Sequence, residues 1–174
     1  MHACIQATGP HRSLERQFGA FCPIFRLHGN REGAKDVDRC ATKGYNEVWH
    51  FGDEAYAAIS AVMRLRESLR PYVQAGLDLA HTRGTPLLRP MVFDFGDAEC
   101  VDATTQYMFG DDYLVAPVLE YQATNRSVFL PALPTGQRWV HHYTGEELAG
   151  GTAHTVPTTN LSEFPLFVRV RAVV

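Results

Sequence analysis

Arg26-Leu27-His28-Gly29 is the tetrapeptide whose residue types and spacing point most directly to chemistry. Apolar, aromatic text from Phe18 to Leu27, which with Pro23 reads as a short or edge-like strand or one entered after a turn, stops there, and a long polar stretch from Gly29 to Gly44 begins. On a strand, Arg26 and His28 fall two residues apart and share one face. At the C-terminal end of a β/α-barrel strand, both side chains would reach a polar ligand such as a sugar hydroxyl. The competing reading is structural: His28 caps the strand and Arg26 pairs with a loop carboxylate.

Acids and aromatics offer a second kind of chemistry. Asp94, Asp97, Glu99 and Asp102 form one acidic stretch, and Asp111-Asp112 forms another. Glycoside hydrolysis needs paired carboxylates, but these sit in turn-like text and read as solvated turn acids. Trp49, Phe51, Trp139 and Tyr143 are of the type that stacks on sugar rings, though core packing is the commoner role. His141, His142 and His154 suggest a metal cluster only superficially, because adjacent residues on a strand point to opposite faces. No G-x-x-x-x-G-K-[ST], H-E-x-x-H or G-x-S-x-G motif occurs. Cys4, Cys22, Cys40 and Cys100 are widely spaced and read as reduced or buried thiols.

The elements that must position these residues fall into two unlike halves. The chain has 174 residues, 45% hydrophobic and 20% charged, with a net charge of −3. That is globular chemistry without the basic balance of a nucleic-acid-binding surface. No apolar run reaches the roughly 18 residues that a membrane helix requires. Residues 53–82 carry a helical stripe through Ile59, Val62, Leu65, Leu69, Val73, Leu77 and Ala80, with Asp53 as N-cap and a break near residue 70 at Pro71. Gly84 stands where a left-handed cap belongs, and Pro86 blocks resumption. Beyond it, short apolar runs at 87–93, 113–119, 127–130, 138–143, 152–156 and 164–170 alternate with Gly and Pro, which predicts an antiparallel sandwich. Residues 102–109 read as a single helical turn. The fold class is therefore α/β plus all-β, with a boundary near residue 85.

Several blocks, in order, resemble one family. Phe21-Cys22-Pro23-Ile24-Phe25-Arg26-Leu27-His28-Gly29 is similar to the late-barrel segment of glycoside hydrolase family 31, the α-glucosidases and α-xylosidases. Trp49-His50-Phe51-Gly52, Leu65-Arg66-Glu67-Ser68-Leu69-Arg70-Pro71-Tyr72 and Gly84-Thr85-Pro86-Leu87-Leu88-Arg89-Pro90-Met91 resemble three further family stretches. Gln106-Tyr107-Met108-Phe109-Gly110-Asp111 with Leu114-Val115-Ala116-Pro117-Val118, and later Pro165-Leu166-Phe167-Val168-Arg169, resemble its closing part. The first block looks most like the α-xylosidase branch. Two departures are visible: Val48 stands where the family has proline before its Trp-x-Phe/Tyr-Gly stretch, and the family reads Arg-Trp-x-Gln before the first segment, whereas Arg16 here meets Gln17 directly.

The resemblance implies the last units of a (β/α)8 barrel over residues 16–85, then a β-sandwich over 86–174, with 1–15 irregular. A whole barrel takes roughly 250 residues, more than this chain holds. It implies a retaining mechanism on α-linked xylosides or glucosides, using two aspartates that precede the Arg-x-His-Gly segment. Residues 1–20 contain no aspartate, so the expected unit is a fragment, inactive alone, that needs the N-terminal part of the barrel. It assigns His28 to sugar binding, with Arg26 as a helper. Its expected partner is an α-linked oligosaccharide, with no nucleic acid, no membrane, and no metal or organic cofactor. A non-catalytic carbohydrate-binding or structural module is the alternative.

Overall fold

The computed structural model describes residues 17–26, 48–120 and 122–172. Residues 17–20 form one helical turn, and Val48–Phe51 a 3-10 turn. Helix α1 covers Asp53–Ser68 and α2 covers Arg70–Arg83. Asp53 lies inside the first turn of α1, and Gly52 occupies the N-cap position without a side-chain cap. Asp53 and Glu54 therefore act on the helix dipole rather than as capping side chains. Leu69 separates the two helices, and Pro71 sits in the first turn of α2, where its missing N–H costs nothing. Gly84 ends α2 in the left-handed region at φ 72°, as the sequence predicts.

The second half is antiparallel throughout. Its strands are β1 (Leu88–Pro90), β2 (Tyr107–Phe109), β3 (Tyr113–Val115), β4 (Asn125–Leu130), β5 (Gln137–His141), β6 (Glu147–Leu148), β7 (Thr152–Pro157) and β8 (Leu166–Arg171). Two short helices, α3 (Met91–Asp94) and α4 (Ala98–Asp102), lie between β1 and β2. Six strands form one sheet in the order β1-β2-β3-β8-β5-β6, and β4 pairs with β7 as a separate ribbon.

The six-stranded sheet is the middle layer, and its pleat divides the core. Tyr107, Phe109, Val115 and Leu166 face Ala20, Phe21, Val62, Leu69 and Val73 on the helix side. Met108, Leu114, Trp139 and Phe167 face Val128, Leu130 and Val156 of the ribbon. β2 is buried at all three positions, which explains why no alternation marks it in the sequence. The helical turn expected over 102–109 is instead α4 followed by β2.

No strand precedes Leu88 among the described residues. Over residues 17–26 the apolar run from Phe18 is a helical turn and an irregular stretch, in which Ala20 and Phe21 are buried while Phe18 and Ile24 stay exposed.

Candidate functional site

The segment leading to the predicted sugar-binding residues is fixed from several directions. Phe21 is fully buried, with its ring 5.3 Å from Phe109, 5.8 Å from Phe164 and 6.0 Å from Tyr113, centroid to centroid. Tyr107 donates from its hydroxyl to the Phe21 carbonyl at 3.2 Å. Arg66 donates to the carbonyls of Ala20 and Pro23, both at 2.9 Å. Its guanidinium also lies 5.6 Å from the Phe109 ring centroid. Gln17, buried, accepts from the Val118 N–H at 3.3 Å and donates to Leu161 O at 3.4 Å. The arginine and aromatic residues of the matching sequence blocks thus tie 17–26 to both α1 and the sheet.

This segment leads to Arg26, which is exposed. His28 lies outside the described residues. The expectation that the two share a strand face receives no support up to Arg26, because residues 17–26 contain no strand.

A second anchor joins α2 to the β2–β3 turn. The Tyr72 hydroxyl donates to Phe109 O at 3.1 Å and accepts from Asp112 N–H at 3.0 Å. Burial pushes its pKa up to about 12, so the phenol stays protonated and can fill both roles. Gly110, at φ 61°, lies against that hydroxyl so closely that a Cβ would collide with it.

Three of the acidic residues, Asp94, Asp111 and Asp112, are paired with arginines. Arg89, 3% exposed, donates to Asp94 and Asp111 at 2.8 Å each and to Gly110 O at 2.9 Å. Burial opposes its charge, but the two carboxylates outweigh it and hold the pKa above its usual value. Asp112 takes Arg171 at 3.2 Å. The reading of these acids as solvated therefore needs correction at Asp94, whose side chain is 22% exposed beside Arg89. The sequence reasoning missed this clamp. Its signal was an arginine inside an apolar run, Leu87 to Met91, with an acid five residues on.

The aromatic candidates separate cleanly. Trp139 is fully buried and donates to Pro131 O at 2.8 Å, so it is core. Tyr143 is half-buried against Phe164 and His142. Trp49 is 64% exposed on its 3-10 turn, and the Phe51 side chain lies outside the described residues. His141 ends β5 and His142 begins the following turn. Among the described residues, no group of His, Cys, Asp and Glu is arranged to hold a metal. Cys22 and Cys100 are free thiols, and Cys4 and Cys40 lie outside the described residues.

Comparison with known proteins finds two family models that match successive parts of the chain. The family model described as the glycosyl hydrolases family 31 TIM-barrel domain matches residues 16–75, and that of the family 31 C-terminal domain matches 84–174. An alpha-xylosidase of Saccharolobus solfataricus is 36% identical over 158 residues, covering 90% of this chain and 19% of the relative. A 1,6-alpha-glucosyltransferase of Sporosarcina globispora is 32% identical and is covered over 11% of its length, against 91% of this chain. Among solved structures, a GH31 alpha-xylosidase from a soil metagenome, complexed with xylose, superposes with a TM-score of 0.80 at 39% identity, covering 92% of this chain and 25% of that one. This chain thus spans a quarter or less of each of these relatives. With both family models matching in chain order over nearly all the described residues, the protein belongs to glycosyl hydrolase family 31.

Proposed function

We propose that this chain forms the C-terminal end of the catalytic barrel and the adjoining sandwich of a retaining α-glycosidase acting on α-linked xylosides or glucosides. The barrel part runs over 16–85 and the sandwich over 86–174. In the parent reaction, one aspartate attacks the anomeric carbon as the glycosidic C–O bond breaks, and a second aspartate protonates the leaving oxygen. Water, deprotonated by the second aspartate, then displaces the first and releases the sugar. Both aspartates belong to barrel segments that precede residue 16. His28 binds the sugar beside the scissile bond, Arg26 assists, and the isolated chain is inactive.

The observation that carries this reading is the interlock of Gln17 with Val118 and Leu161, of Tyr72 with Phe109 and Asp112, and of the Arg66 guanidinium with the Phe109 ring. It joins the barrel-matching segment to the sandwich as a single packed body. Exposed apolar side chains on the barrel-matching elements also support it: Ile24 (83%), Trp49 (64%) and Phe18 (48%). The rest of the barrel, the partner the proposal names, would cover these side chains.

The second reading, a carbohydrate-binding module, draws on the sandwich having its own closed core around Trp139 and Phe167. Assays of the purified chain on aryl α-xyloside and aryl α-glucoside test the first reading. No turnover above contaminant controls is expected, and real turnover overturns it. Calorimetry with xylose-containing oligosaccharides tests the second.

A further inference from the structure

A cleft of about 410 Å³ opens on the sandwich between the β5–β6 turn, β7 and the loop before β8. It is built from segments distinct from those leading to Arg26. His141, His154, Glu146, Glu163 and Asn160 supply its polar groups, with Pro157 and Phe164 among its apolar lining.

The hydrogen-bond polarity of these groups is fixed by their neighbours. Thr144 N–H donates to His141 Nδ1 at 3.3 Å, and the Thr144 hydroxyl lies 3.1 Å from the same nitrogen. That hydroxyl accepts from Glu146 N–H at 3.2 Å, leaving its own proton for His141. Nδ1 is thus an acceptor, and neutral His141 carries its proton on Nε2. His154 Nε2 lies 2.8 Å from Ala149 O, so it carries the proton there and leaves Nδ1 as an acceptor. Asn160 Oδ1 accepts from Ser162 N–H at 3.0 Å, leaving its amide NH₂ to donate. Glu146 and Glu163 are exposed and act as acceptors. Burial keeps His141 below its usual pKa despite these two carboxylates, so at neutral pH it offers a neutral donor.

Two carboxylates and no Lys or Arg line the cleft, which disfavours anions. Among the described residues, no set of ligands suits a metal. Interleaved donors and acceptors beside apolar side chains instead suit a neutral ring with hydroxyls at its edge and C–H groups on its faces. The volume falls within the small-molecule range of about 300–1,000 Å³.

We propose that this cleft is a saccharide-binding subsite, in which Glu146, Glu163 and His154 Nδ1 accept from sugar hydroxyls while His141 Nε2 and the Asn160 amide donate to them. The choice of α-linked glucose units as probe rests on the function proposed above; the site itself does not depend on it.

Amide hydrogen exchange of the full chain at micromolar concentration tests the site, with isomaltotriose raised until the effect saturates. Segments 141–148 and 154–164 are expected to slow saturably. The Glu146→Ala/Glu163→Ala variant is expected to need roughly tenfold more sugar, since two charge-assisted hydrogen bonds are lost. Both substituted side chains are exposed, and unchanged exchange in β2, β3 and β8 without sugar verifies the fold. His28→Ala should leave this protection intact. Protection confined to residues 17–51 would overturn the subsite while leaving the proposed role of His28 standing. No protection anywhere, or equal protection by myo-inositol at the same concentration, would also overturn it.

Discussion

Tyr72 and Asp112 are 40 positions apart in the chain, yet the Asp112 N–H donates to the Tyr72 hydroxyl at 3.0 Å. This bond, with the one that Tyr72 returns to Phe109 O, closes the joint between a barrel-derived helix and the sandwich. Tyr72→Phe keeps the ring, which stacks edge-on to Tyr113 at 5.2 Å, but leaves two backbone groups without their partner. The expected loss is about 1–3 kcal/mol in urea denaturation. A cost near zero would show that the joint is not held by this hydroxyl.

Arg89 tests a different kind of anchor. Arg89→Met preserves most of the buried stem but removes the charge shared by Asp94 and Asp111. Asp111 is 59% exposed and rehydrates easily, so the loss should be about 3 kcal/mol at most, the lower end for a broken buried pair. Arg70→Ala breaks an exposed pair with Glu67 and should leave the urea midpoint unmoved. Equal effects from the two variants would contradict the distinction between buried and surface pairs.

Burial depresses the pKa of both His141 and His142. In the unfolded chain, histidine titrates near about 6.5. Between the lower folded values and that figure, the unfolded state holds more protons, so stability rises with pH through the window. The urea midpoint should be level above about pH 7 and fall as pH drops through about 6.5. The fall should be shallower in His141→Gln. A midpoint that rises on acidification over this range would contradict the buried, neutral state of these rings.

How much of this was legible in the sequence depended on how local the signal was. Gly84, Pro71 and the Ile59–Val62–Leu69–Val73 stripe are local, and the two helices form where they point. The late strands β4, β5, β7 and β8 fall close to the apolar runs that predicted them. β2 escaped because both its faces are covered, and β6 because two residues carry no pattern. Residues 17–26 misled for the opposite reason. Phe18, Phe21 and Phe25 made the segment read as a strand, but Phe21 anchors an irregular stretch among Phe109, Tyr113 and Phe164. Arg89 and the His141–His154 cleft depend on partners brought together by the fold, which spacing along the chain does not reveal.

The exposed apolar side chains predict self-association. Phe18, Ile24, Trp49, Tyr56 and Met63 all lie on the barrel-matching elements, each more than a third exposed. The chain should associate as concentration rises; sedimentation showing a clean monomer throughout would contradict the need for a barrel partner.

The central claim is that the nucleophilic carboxylate of the parent enzyme is not among the residues of this chain. A fluorinated xylosyl fluoride measures this directly, because it traps the nucleophile of a retaining glycosidase as a slow-hydrolysing ester that intact mass can detect. After prolonged incubation, the purified chain is predicted to keep its unmodified mass. A stoichiometric mass increase by one fluoroxylosyl group, localised to an aspartate or glutamate of this chain, would contradict the account.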